Sequence, residues 1–262
     1  MALGCAVEFE AGEGPRLTPV SNIDGFIRDP VHWAESLEPA YETLKRVRQG
    51  LGPETTLIGF AGAPWTLATY LAAGRGRDEQ KAAKLWGYRE PESFARLLDV
   101  LVDCVSFHLV KQIEAGADVV QIFDSWASGV PASVFAQWIV EPTRKIVSQI
   151  RSVHPKAKII GFPRASTLAG YELYARETGV DAVGLDPATA MNWARDTLSD
   201  RVALQGNLDP IALIAGGKAL DGSVDEILTA MRGRRFVVNR GHGILEEAQI
   251  ENVSGVITRV RS

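Results

Sequence analysis

His242 stands in Gly241-His242-Gly243, directly after the apolar run Arg235–Asn239. Flanking glycines leave its imidazole open, and a ring titrating near ~6.5 can exchange a proton or a hydrogen bond with a ligand. Tyr70 carries an O–H donor on an apolar body. Asp124-Ser125 sets a carboxylate beside a hydroxyl, and Arg164 can grip a carboxylate with two parallel N–H donors. Together these types suit proton transfer and anion binding. Each has a structural alternative. His242 can be a loop histidine bonded to backbone, Tyr70 a core residue, Asp124 a helix cap and Arg164 a surface ion-pair partner.

The segments that must position these residues share a pattern. Thr56–Leu71 reads as a short buried strand, then a loop of small residues (Gly59, Ala61, Gly62, Ala63), then a helix opened by Pro64. Thr66 and Tyr70 share one face of that helix, being four apart, and Trp65 and Thr69 share another. Further strands are expected at 118–123, 158–162, 181–185, 202–206 and 235–239, each exiting into glycine or polar residues. Helices are expected at 30–49, 91–115 and 168–178, and another is expected to run to Leu198. Two more helical segments should follow Gly129, broken near Pro142, and a last one should run from about Glu246. Residues 7–20 read as a hairpin or an extended excursion with a glycine-rich tip.

Alternating strands and helices argue for an α/β fold with a parallel sheet. In a (β/α)8 barrel the exit loops gather on the C-terminal rim, where active sites sit. About six units are legible, against the eight of a closed barrel. A chain of 262 residues suits one barrel domain, so 1–262 is taken as a single unit.

Composition narrows the function. The net charge is −4 with no basic stripe, which disfavours nucleic acid. No apolar run approaches the roughly 20 residues of a membrane span, and residues 1–5 lack the features of a secretory signal. Cys5 and Cys104 are far apart and fit no metal spacing, a usage that suits a reducing cytoplasm. Trp126 and Trp138, near the rim segments, are candidates for a subunit interface. No phosphate loop, dinucleotide fingerprint, nucleophile elbow or zinc spacing is present, so the residues alone point to a cofactor-free α/β enzyme.

Five motifs sharpen this. Ile58–Leu67 (IGFAGAPWTL), Gly161-Phe162-Pro163-Arg164, Val183-Gly184-Leu185-Asp186, Leu204–Pro210 (LQGNLDP) and Asn239–Ile244 (NRGHGI) resemble the uroporphyrinogen decarboxylase family, as does Glu13–Leu17. The resemblance runs in order along nearly the whole chain. It implies a TIM barrel, a homodimer with facing clefts, and removal of the carboxyl groups of four acetate side chains of uroporphyrinogen without cofactor or metal. It puts substrate contacts on Tyr70, Ser125 and His242, with Tyr70 and His242 catalytic, apolar cleft walls on Phe60 and Phe123, and a basic contact on Arg164. Arg240 departs from it, standing where leucine is expected. The resemblance also implies two strand units upstream of residue 1, one with an Arg-rich loop and one ending in an Asp that bonds the pyrrole N–H groups. On that reading residues 1–262 alone bind porphyrinogen weakly and decarboxylate it slowly. Two alternatives remain beside it. Related barrels hold zinc with His and Cys and move methyl groups to thiols or corrinoids, but the matching exit here, Phe162–Ala165, has no thiol. A non-catalytic porphyrinogen-binding protein is the other.

Overall fold

In the computed structural model, which describes residues 2–10, 14–74 and 80–262, the expected hairpin forms from β1 (Val7–Glu10) and β2 (Gly14–Leu17), paired antiparallel. Its tip, including Glu13 of the family motif, lies outside the described residues. The six apolar runs form six parallel strands: β3 (Ile58–Gly62), β4 (Val119–Asp124), β5 (Lys158–Pro163), β6 (Ala182–Gly184), β7 (Ala203–Leu208) and β8 (Phe236–Arg240). Their spatial order is their sequence order, β3-β4-β5-β6-β7-β8. That is the arrangement of consecutive βα units in a TIM-type barrel. Among the described residues, β3 and β8 each pair on one side only.

Helices cover the outer face. α1 (Pro30–Gly50) starts at Asp29, whose carboxylate accepts the Val31 N–H at 3.0 Å. α2 (Pro64–Ala73) follows β3, with Pro64 in its first turn and Gly74 left-handed at its end. Residues 81–89 form α3 (Lys81–Arg89), which the sequence reading passed over. Its only buried side chains are Ala83 and Trp86, so its apolar stripe is too thin to read as periodic. α4 (Pro91–Glu114) buries the expected face, including Phe94, Leu97, Leu101, Val105 and Leu109.

The segment after Gly129 differs from expectation. α5 (Ala132–Phe135), a π turn (Ala136–Val140) and α6 (Glu141–Val153) run on as one helical stretch rather than breaking near Pro142. Pro142 falls in the first turn of α6, where its lack of an N–H costs little, and the Glu141 N–H reaches back to the carbonyl of Ala136. The π turn carries Trp138 into the core, stacked on Trp65 with centroids 5.0 Å apart and Phe94 edge-on. Burying such a ring removes roughly 150–250 Å² from water, about 4–6 kcal/mol before entropic costs. Trp138 is therefore a core residue and not the interface candidate its rim position suggested.

α7 (Leu168–Glu177) and α8 (Met191–Leu198) lie where expected. α9 (Pro210–Ala215) and α10 (Gly217–Ala230) were hidden by the Gly216-Gly217 pair, which reads as a loop. α11 spans Ile250–Arg261, starting later than the expected Glu246.

Candidate active site

Side chains alternate across a strand, so residues two apart share a face. On β4 and its exit, Gln121, Phe123 and Ser125 look into the barrel, while Val120, Ile122 and Asp124 are buried toward the helices. The same alternation turns Phe162 of β5 and Arg164, just past its end, inward. With Gln205 of β7, Asn239 and Arg240 of β8, and His242, they line a cavity of about 190 Å³ at the C-terminal ends of the strands. At its floor Gln205 Nε2 donates to Gln121 Oε1 at 3.3 Å, bridging β4 and β7. The Oε1 of Gln205 is buried without a partner among the described residues, which leaves an acceptor there.

A second, mainly apolar cavity of about 610 Å³ opens beside β3. Phe60, Tyr70, Leu67 and Leu101 are among its walls, and Ser125 borders both cavities. Three phenyl rings join the two: Phe60 meets Phe123 edge-on at 5.9 Å, and Phe123 meets Phe162 in the same way at 5.9 Å. The six sequence candidates thus fall in two adjoining groups. Ser125, Phe123, Arg164 and His242 surround the smaller cavity, while Tyr70 and Phe60 line the larger. The Tyr70 hydroxyl has no hydrogen-bond partner among the described residues, against the alternative of a core tyrosine tied to backbone.

The electrostatics favour a bound anion. Among the described residues no carboxylate lines the smaller cavity. Neither Arg164 nor Arg240 has an ion-pair partner among the described residues, whereas Arg46, Arg48, Arg144 and Arg259 do. On His242, Nδ1 accepts the Gly243 N–H at 2.6 Å, so the neutral ring carries its proton on Nε2. Partial burial, and then the charge of Arg164, hold the imidazole below its ordinary pKa and keep it neutral. Its loop is pressed down by Gly241, where a Cβ would overlap Pro187, and the Gly241 N–H bonds the Leu208 carbonyl at 2.9 Å.

Several polar exit residues turn out to be loop anchors. Asp124 caps no helix; its carboxylate accepts the Thr66 hydroxyl at 2.7 Å behind the sheet. Burial pushes that carboxyl up to about 7, with the Thr66 hydrogen bonds pulling the other way. Asp186 accepts from Tyr171 at 2.6 Å and from the backbone N–H groups of Ala165 and Ala188, tying the β5 and β6 exits together. Asn207 donates to the carbonyls of Asp186 and Thr189, and Asp209 caps α9. Gln121, Gln205, Asn239 and Phe162 were missed as site residues. For Gln121 and Gln205 the available signal was a polar side chain inside an otherwise apolar strand, and for Phe162 its place two positions before Arg164 on the same face.

A solved structure described as a methyltransferase from Methanosarcina mazei matches with a TM-score of 0.82 over 98% of this chain and 75% of its own. At 20% identity that likeness shows the fold alone. The family model for uroporphyrinogen decarboxylase matches residues 1–262. The chain belongs to the uroporphyrinogen decarboxylase family. Curated relatives bearing the name uroporphyrinogen decarboxylase include one from Rhizorhabdus wittichii, 48% identical over 99% of this chain and 75% of its own length. Another, from Mesorhizobium japonicum, is 48% identical over 100% of this chain and 76% of its own. Membership of the uroporphyrinogen decarboxylase family accounts for the glycine and proline motifs at the exits of β3, β5, β6, β7 and β8, which build the rim described above.

Proposed function

We propose that this protein is a uroporphyrinogen decarboxylase, a carboxy-lyase of porphyrin and heme biosynthesis acting on the four acetate side chains of uroporphyrinogen. The observation that carries the reading is the smaller cavity, which Arg164 and neutral His242 line with no carboxylate among the described residues, next to the phenyl-lined cavity of Tyr70. A polyanionic tetrapyrrole has an apolar body and a charged rim, and this pairing of surfaces suits both.

The reaction uses the substrate's own electrons. Protonation of a pyrrole carbon makes an electron sink. The bond to the acetate carboxylate then breaks, carbon dioxide leaves, and its electron pair passes into the ring. The exocyclic methylene takes a proton to become methyl and the ring carbon gives up the proton it gained, so each acetate consumes one proton net. In this scheme Arg164 holds a carboxylate, His242 offers Nε2–H, and Ser125 and Tyr70 offer hydroxyl donors. Phe60 and Phe123 wall the body of the ring and keep water out, which strengthens each of these contacts. The scheme requires no cofactor. Among the described residues no group of three His, Cys, Asp or Glu is placed to hold a metal ion, so the zinc methyltransferase alternative has no donor set there.

The proposal includes a homodimer and a cytoplasmic location. The widely separated Cys5 and Cys104 suit the location, and no helix among the described residues is long and apolar enough to cross a membrane. With Trp138 buried, the dimer reading rests on the family and on half-buried Trp126. Sedimentation that shows only monomer at micromolar concentration would remove the dimer from the proposal. The function is tested by carbon dioxide release from uroporphyrinogen. Tyr70→Phe, Ser125→Ala and His242→Asn should each lower kcat/KM by about 1–3 kcal/mol of transition-state binding. Unchanged kinetics in all three would sink the site assignment.

A further inference from the structure

We infer that Arg240 is a second carboxylate anchor of the cavity, acting beside Arg164, and that the two cations together make the site selective for the more heavily carboxylated porphyrinogen. The inference rests on the proposed function and names a specificity residue for it.

Arg240 is the last residue of β8 and lines the same cavity as Arg164, which follows β5. Two strands, β6 and β7, lie between. At about 4.8 Å per strand step, the two backbones are separated by roughly 14 Å of barrel wall. Cations so spaced reach different parts of one large ligand rather than crowding on a single carboxylate. Arg240 is half-buried and has no carboxylate partner among the described residues. An unpaired guanidinium removed from water is costly unless an anion completes it, and a bound ligand carboxylate does so with two parallel hydrogen bonds.

Arg240 stands where two cavities meet. The residue also borders an apolar cavity under α11, walled by Leu208, Leu213, Val253 and Ile257. A long aliphatic stem can lie along such a wall while its head seeks the polar side. The backbone at this point is fixed, since the Arg240 N–H donates to Asn239 Oδ1 at 2.8 Å and the next N–H bonds Leu208. The charge is thus held at the rim by a strand end and not by a free loop.

Selectivity follows from counting carboxylates. Uroporphyrinogen carries an acetate and a propionate on each ring, whereas the fully decarboxylated product keeps only the propionates. A second anchor adds affinity where a carboxylate is present to meet it, and adds little once that carboxylate has become a methyl group. Arg240 therefore raises the preference for substrate over product.

Equilibrium binding reads this without turnover. Uroporphyrin and coproporphyrin, the air-stable oxidised forms, are titrated against the wild-type chain and Arg240→Gln, following quenching of tryptophan fluorescence. Arg240→Gln should weaken uroporphyrin binding about 10-fold, change coproporphyrin binding less than about 3-fold, and flatten the salt dependence. Arg240→Lys keeps the charge but not the fork and should fall between. Arg259→Gln, on the exposed pair with Asp225, is the control and should bind as wild type does. Equal uroporphyrin binding by wild type, Arg240→Gln and Arg240→Lys, with unchanged circular dichroism, overturns this inference and leaves the proposed function standing. A wild-type chain that binds neither porphyrin overturns both.

Discussion

Asp124 and Ser125 are neighbours in sequence with opposite environments. The pleat sends Ser125 to the cavities and Asp124 behind the sheet onto Thr66, four residues before Tyr70 on α2. The Asp124 carbonyl also accepts the Arg164 N–H at 3.1 Å. One residue thus links the elements that carry Tyr70, Ser125 and Arg164. Its carboxyl lies near 7 when folded, against an ordinary 3.8. A raised carboxyl favours the folded state fully below its unfolded pKa, and that contribution is lost as pH rises through the folded value. Asp124→Asn keeps an acceptor for Thr66 and cannot titrate. The wild-type Tm minus the Asp124→Asn Tm should therefore fall by roughly 5 °C between about pH 5 and pH 8. A difference that stays constant across that range would show that Asp124 does not titrate there. Residue types alone suggested an acid and a hydroxyl together at the site. Strand alternation, applied to Gln121-Ile122-Phe123-Asp124-Ser125, already separates them, but only once the strand is known to continue through Asp124.

At the scale of elements, α1 and α4 pack through Trp33 against Phe107, with centroids 5.7 Å apart, and through Tyr41, whose hydroxyl lies 3.1 Å from His108 Nδ1. Burial lowers the His108 imidazole to about 4 and pushes the Tyr41 phenol up. A depressed imidazole contributes stability above its unfolded pKa of 6.5 and loses it as pH falls through the folded value. The helix pair should weaken between about pH 6.5 and pH 4, by up to about 3 kcal/mol. His108→Gln should remove that limb of the pH–stability profile in urea unfolding, and an unchanged limb would place the acid sensitivity elsewhere. This limb runs against that of Asp124, so the two variants separate what the wild-type profile superimposes. The elements themselves were unevenly legible. α4 shows its stripe over many turns, and the exit motifs repeat. By contrast α3 buries little, the glycine pair before α10 reads as a loop, and the π turn absorbs Pro142 in a way no local propensity signals.

For the whole molecule, the sheet order is the governing fact. β3 and β8 each have one partner strand among the described residues, and Ile58, Phe60 and Val237 on those strands are exposed. Unpaired edges with apolar side chains template pairing with another chain. Residues 1–262 should therefore self-associate with rising concentration, and Val237→Lys, which charges the β8 edge, should reduce this in sedimentation velocity. Concentration-independent sedimentation of the wild type would contradict it. The same edges bear on catalysis. The chain covers 75% of the Rhizorhabdus wittichii relative, and the family resemblance implies two further strand units, with an Arg-rich loop and an Asp, ahead of β1. Two strands between β8 and β3 would close the barrel, and the Asp would supply a negative charge at the centre of the bound macrocycle, where the protonated pyrrole develops. A preorganised group of that kind commonly contributes about 10²–10³ in rate. Joining to residues 1–262 the part of that relative outside the match should then remove the concentration dependence and raise carbon dioxide release by about 10²-fold or more. Removing the Asp alone from the longer chain should return the rate while leaving sedimentation unchanged, which separates the chemistry from the closure. Equal release by the short and the long chain would mean that Arg164, Ser125, Tyr70 and His242 suffice on the open barrel.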